Sequence, residues 1–109
     1  GGIVENIYIR DIKVGEVREA VIKINCLYEP QEGPGDFPPL VQNVHISELT
    51  SQKAKRAVDM TGIKDMDCIN NIYVANCTFE GVEQKYRIQE AGKVVLKNIT
   101  INGKLVKRR

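Results

Sequence analysis

The chain has 109 residues, a formal net charge of +2, 42% hydrophobic residues and 28% charged residues. This length suits one hydrophobic core, and so small a net charge gives no field that would favour nucleic acid. Ile and Val together number 25, against five Leu. Because β-branched side chains lose rotamer freedom in helices and pack well on pleated sheets, the composition favours strands over a helix bundle.

Segment 6–13 opens the chain with aliphatic side chains at alternate positions, and the same pattern recurs at 43–50, 71–78 and 93–100. Period-two alternation indicates strands with one buried face. The segments start 37, 28 and 22 residues apart. The shortest spacing is that of a single coil of a β-solenoid, and the longer spacings imply loops inserted into similar coils.

A second apolar strand follows each of the first three segments, at 20–25, 56–61 and, more weakly, 86–89. The spacing from Ile12 to Ala20 equals that from Leu49 to Ala57, which suggests that the coil geometry is reproduced. The repeats predict an all-β fold, a parallel β-helix (β-solenoid) of about four coils that stack into one core. An immunoglobulin-like antiparallel sandwich is the alternative, although it gives no reason for near-identical repeats.

Short polar residues recur at two positions of the repeat. Asparagine occupies the first position at Asn6, Asn43 and Asn71. The second position holds Asp11, Glu48, Asn76 and Asn98. Such side chains tolerate unusual backbone angles and bond one another along a stack, so we expect them at bends between strands.

Residues 29–39 hold all four prolines, which predicts an inserted surface loop within a single unit spanning 1–109. The acidic residues there and at Asp65 and Asp67 do not lie on rigid strands, so we expect no catalytic pair among them. His45 is the only histidine, and the three cysteines lack metal-binding spacing, which predicts no metal site. Buried thiols are expected for the cysteines, with a single disulfide left open. The basic tail, 104–109, is interpreted as a solvated, frayed terminus.

Gly1-Gly2-Ile3-Val4-Glu5-Asn6-Ile7, together with strand 20–25 and Tyr28, resembles the polygalacturonase-like glycoside hydrolases of family 28, most closely their bacterial members. The resemblance implies the C-terminal coils of a right-handed parallel β-helix. It further implies a pectin-degrading, inverting parent enzyme that is secreted or periplasmic and acts on a galacturonan-like acidic polysaccharide without a cofactor. The chain itself shows neither a signal peptide nor an apolar run long enough to span a membrane.

The family's Asn-Thr-Asp, Asp-Asp, Gly-His-Gly and Arg-Ile-Lys motifs are absent from this sequence. Inversion requires a carboxylic acid and a carboxylate about 6.5–9.5 Å apart, so we expect no catalytic residue here and no hydrolysis by the chain alone. The resemblance implies that Tyr28 lines the sugar cleft. Lys23, outward on the strand that continues the active-site face, is a weaker substrate-binding candidate, and a Lys23–Asp59 ion pair between coils is the competing interpretation.

A non-catalytic β-solenoid that serves as a scaffold or weak carbohydrate-binding module is the alternative function. Loss of the preceding coils would leave an open strand edge at the N-terminal side of the stack. We therefore expect self-association, or capping by another chain, through this edge.

Overall fold

The computed structural model describes residues 3–26 and 40–106, which form an all-β structure. Tyr28, the predicted loop at 29–39 and Gly1-Gly2 lie outside the described residues. The strands are β1 (Ile3–Glu16), β2 (Ala20–Asn25), β3 (Leu40–Lys53), β4 (Arg56–Thr61), β5 (Ile69–Phe79), β6 (Tyr86–Gln89), β7 (Val94–Ile101) and β8 (Lys104–Leu105). No helix that could span a membrane occurs in the described ranges.

The strands form two sheets, with one strand of each repeat in each sheet. The first sheet has the order β1-β3-β5-β7-β8, and the second has the order β2-β4-β6. All pairs are parallel except β7–β8, which is antiparallel. Each predicted strand is confirmed, and the parallel pairing excludes the antiparallel sandwich.

Cross-strand register keeps equivalent residues of the repeats in line. Ile7 lies opposite Val44, Val44 opposite Ile72, and Ile72 opposite Val94. Inward columns of this kind join both sheets in one core cluster. The largest fully buried side chains are those of Phe79, Met60, Ile69, Ile72, Ile99, Val58, Val74 and Cys77. The expectation of a buried thiol is therefore confirmed for Cys77.

The expected equality of the turns that lead into β2 and β4 is wrong. The parallel pairing places Ala20 opposite Arg56 and Ile22 opposite Val58. The turn after β3 is therefore one residue shorter than the turn after β1. The alternation of side chains fixes the register within a strand, but it carries no information on how many residues an exposed turn contains. Ala20 and Ala57 therefore do not align.

The recurring polar residues adopt left-handed backbone angles, as predicted. The φ angles are 57° at Asn6, 56° at Asn43 and 56° at Asn71. Residues of the second position do the same, with φ between 54° and 60°. The seven residues are Asn6, Asn43, Asn71, Asp11, Glu48, Asn76 and Asn98. Asparagine and aspartate tolerate this region because their short side chains bond locally, and each such residue turns a long strand without ending the ladder.

Burial decreases toward the β1 side of the stack. Ile7 and Ile9 are only half-buried, whereas their β3 partners Val44 and Ile46 are buried. At the opposite side, the short strand β8 pairs with the end of β7. The interpretation of residues 104–109 as a frayed terminus is therefore wrong for Lys104–Leu105. A two-residue strand that pairs antiparallel with the end of β7 is too short to leave a periodic pattern in the sequence.

Candidate functional site

The outer face of the β2-β4-β6 sheet carries a row of charged side chains that includes the predicted site residue Lys23. Parallel register places Lys23 of β2 opposite Asp59 of β4, and Asp59 opposite Arg87 of β6. Tyr28, the other predicted site residue, lies outside the described residues. The structure therefore brings Lys23 together with Asp59 and Arg87 on one face.

The expected Lys23–Asp59 ion pair is wrong. Lys23 Nζ donates to Glu19 Oε1 at 2.7 Å, while Arg87 donates from Nε to Asp59 Oδ1 at 3.1 Å and from Nη2 to Oδ2 at 2.9 Å. The planar guanidinium offers Asp59 a two-pronged fit that a lysine ammonium cannot match. Lys23 turns instead to a carboxylate four residues earlier on its own chain.

These contacts shift two pKa values. The hydrogen bond from Lys23, followed by its charge, lowers the pKa of Glu19 below the ordinary 4.5. The hydrogen bonds and charge of Asp59 raise the pKa of the Arg87 guanidinium. A glycosidase acid must hold its proton near neutral pH, which requires a raised carboxyl pKa. Glu19 is shifted the opposite way, so it is unsuited to that role.

A groove of about 360 Å³ runs beside this row and is rich in cations. The main chain also contributes to the shape of the groove. The Glu19 carbonyl accepts hydrogen bonds from the N–H groups of Lys55 at 2.8 Å and Arg56 at 3.0 Å. These bonds hold the turn before β2 against the turn before β4. The groove is lined by Arg18, Glu19, Lys23, Asn25, Lys55, Arg56, Asp59 and Arg87.

Sequence reasoning missed the contribution of Arg18, Lys55 and Arg56 to this face. The available signal was their position, since each lies at or just before the start of a second-sheet strand. Parallel strands bring their starts to the same edge of a sheet, so basic residues at two successive starts converge. The resulting groove combines five cationic side chains with two carboxylates.

The acidic residues singled out in the sequence outside this groove do not form a pair of free carboxylates in the described part of the chain. Asp67 accepts hydrogen bonds from Asn70 Nδ2 at 3.3 and 3.2 Å, and Asn70 Oδ1 accepts one from the Lys93 N–H at 2.8 Å. Asp65 is exposed and has a φ of 63°. Glu29, Glu32 and Asp36 lie outside the described residues.

The first sheet carries an aromatic column on its outer face, as the alternation predicts. The rings of Tyr8 and His45 stack at 4.7 Å between centroids, and those of His45 and Tyr73 at 4.8 Å, with interplanar angles of 13° and 14°. Lys93 Nζ lies 5.3 Å from the centre of the Tyr73 ring. The His45 ring is therefore covered on both faces, whereas Tyr8, at the β1 end of the column, is 74% exposed.

The three cysteines are buried and form no disulfide, so none is a surface nucleophile. Burial, reinforced by the neighbouring Cys68 thiol, raises the pKa of Cys26 to about 12. Burial likewise raises the pKa of Cys77. Within residues 3–26 and 40–106, no group of three or more His, Cys, Asp or Glu side chains is arranged to hold a metal ion.

Comparisons with known proteins give no match to a family model, a curated protein or a solved structure. The resemblance to family 28 glycoside hydrolases thus stays a prediction that depends on the quoted sequence motifs.

Proposed function

We propose that this chain forms coils of a right-handed parallel β-helix of the polygalacturonase-like type and contributes a saccharide-binding face to a pectin-degrading hydrolase. The observation that carries this proposal is the in-register charged row of Lys23, Asp59 and Arg87 on the outer face of the second sheet. The resemblance assigns this face to the sugar cleft. A galacturonan carries a carboxylate on each sugar, which suits a face rich in lysine and arginine.

The proposed role is binding rather than bond cleavage. Both carboxylates of the groove, Glu19 and Asp59, are held in ion pairs. A hydrolase of this type needs one free carboxylate to activate water and one protonated acid to release the leaving group. The family's catalytic motifs, which would supply both, do not occur in the sequence.

A paired assay tests this proposal. We expect the 109-residue chain to bind oligogalacturonate in calorimetry and to release no reducing ends from polygalacturonate, because it has a charged face but no acid–base pair. A neutral glucan of equal length is the control ligand and should not bind. Release of reducing ends above a buffer blank would contradict the inactive assignment, and absence of saccharide binding would favour the scaffold alternative.

Tyr28 gives a second readout of the same proposal. An amphipathic ring at a sugar site stacks on the pyranose and donates a hydrogen bond. Tyr28→Ala should weaken oligogalacturonate binding several-fold, whereas Tyr28→Phe should retain most of it because the ring remains. Equal affinity of the alanine variant and the unmodified chain would remove Tyr28 from the site.

A further inference from the structure

Three of the cations in the groove form no direct ion pair with a described residue. The groove contains five cationic side chains and two carboxylates. Glu19 is bound to Lys23, and Asp59 is bound to Arg87. Among the described residues, Arg18, Lys55 and Arg56 form no ion pair within 4.0 Å. The groove lining therefore carries three more positive than negative charges, and a bound anion would relieve the repulsion among them.

The backbone beneath these cations is fixed. Lys55 and Arg56 both donate their N–H groups to the Glu19 carbonyl, which is the residue after Arg18. The next residue, Ala57, donates to the Lys85 carbonyl at 2.9 Å and is fully buried. These hydrogen bonds anchor the main chain beneath the three cations, so the entropic cost of binding an anion would fall mainly on ordering their side chains.

Arg87 adds a directed group at the side of the groove. Asp59, with 6% of its surface exposed, accepts two of the guanidinium's hydrogen bonds and fixes its plane. Arginine has five N–H donors in a rigid fork, so further donors of Arg87 remain available for a ligand. The Asp59 carboxylate thus acts as a positioning group for Arg87.

We propose that Arg18, Lys55 and Arg56, with Arg87 beside them, form a binding site for the carboxylates of an acidic saccharide. Guanidinium groups bind carboxylates through two parallel hydrogen bonds, and the open groove admits a chain of sugars. None of the described residues that line the groove is aromatic, whereas proteins bind single-stranded nucleic acids with several aromatic side chains on which successive bases stack. The identity of the ligand as a uronic acid oligomer rests on the proposed function, whereas the anion site rests on the groove itself.

The test compares two triple variants of the full chain by calorimetry with hexagalacturonate at low salt. The first variant, R18Q/K55Q/R56Q, removes the three groove charges and keeps the side chains long. The control, K13Q/K64Q/K97Q, removes the same charge from exposed lysines outside the groove. We expect at least a tenfold loss of affinity in the groove variant and less than a twofold loss in the control. Circular dichroism verifies that both variants fold.

Further ligands separate this inference from the proposed function. Fully methyl-esterified hexagalacturonate, which has the same sugars without charge, should bind at least tenfold more weakly to the unmodified chain. Equal binding of hexagalacturonate by the unmodified chain and the groove variant would overturn the carboxylate site but leave the proposed function intact. Equal losses in both triple variants, or tighter binding of a short single-stranded DNA, would overturn the site as a specific one. Absence of binding to any hexagalacturonate would overturn both proposals.

Discussion

Asparagine side chains bond one another along the stack at the positions where the backbone is left-handed. Asn71 Nδ2 donates to Asn43 Oδ1 at 3.1 Å, and Asn43 Nδ2 donates to Asn6 Oδ1 at 3.2 Å. A second row runs from Asn98 to Asn76 at 2.8 Å and from Asn76 to Glu48 at 3.1 Å. Within each row, the side chains therefore form hydrogen bonds with one another, and the same residues adopt a backbone angle that most residue types avoid.

A comparison of Asn43→Ala with Asn43→Gly separates the contribution of the side-chain hydrogen bonds from that of the left-handed backbone angle. Alanine loses the hydrogen bonds and also meets the steric penalty of positive φ, so we expect unfolding free energy to fall by about 2–3 kcal/mol. Glycine meets no steric penalty at positive φ, but it loses the bonds and adds backbone freedom to the unfolded chain, so it should cost about 1–2 kcal/mol. Urea unfolding measures both values. If alanine were no worse than glycine, the left-handed angle would not be a source of the asparagine requirement.

The raised pKa of the Cys26 thiol makes the free energy of unfolding depend on pH. Its thiol, with an ordinary pKa of 9.0, has a pKa of about 12 in the folded chain. Between these values the folded state holds a proton that the unfolded state has lost, so stability falls as pH rises. The stability contributed by the protonated thiol is fully retained below pH 9. Above that pH, the free energy of unfolding falls by at most about 1.4 kcal/mol per pH unit because of this proton.

Urea midpoints measured between pH 8 and pH 11 in reducing buffer test this expectation. Cys26→Ala lacks the titrating group, so its stability should fall less steeply over the same interval, whatever its absolute value. Parallel curves for the two proteins would show that ionisation of Cys26 is not linked to folding.

Strand β1 lies at one edge of its sheet, where β3 is its single neighbour among the described strands. Its apolar residues Ile3 and Val4 are 65% and 47% exposed. An unpaired edge beside exposed aliphatic side chains is a template for another strand. The fold thus gives a physical basis for the expectation that copies of this chain associate through β1.

Ile3→Lys combined with Val4→Lys should shift the chain toward monomer, because added lysines on an edge strand oppose pairing. Sedimentation velocity over a range of concentrations measures the shift. Met66→Lys with Leu105→Lys is the matched control, since those residues are 47% and 56% exposed and lie away from β1. A concentration-independent monomer before any substitution would contradict association through this edge.

For the molecule as a whole, the repeated strands and their parallel order were predictable from the sequence. Alternation with period two identifies inward residues, and recurring asparagines mark equivalent positions in successive repeats, so the register of Asn43 and Asn71 followed directly. The site was less predictable because the choice of ionic partner depends on side-chain reach. Lys23 pairs with Glu19 rather than Asp59, and convergence of Arg18 with Arg56 depends on a hydrogen bond between two turns.

The two rows of side-chain hydrogen bonds, one through Asn71, Asn43 and Asn6 and the other through Asn98, Asn76 and Glu48, give the first sheet a direction. Every side-chain bond in them donates toward β1, so Asn6 ends its row with an Nδ2 group that donates to no described residue. Any chain that extends the stack beyond β1 in phase must therefore offer an oxygen acceptor at this point. Two copies that met β1 to β1 at Asn6 would set donor against donor, which makes such an assembly weaker and more readily reversed than the continuous ladder inside the molecule.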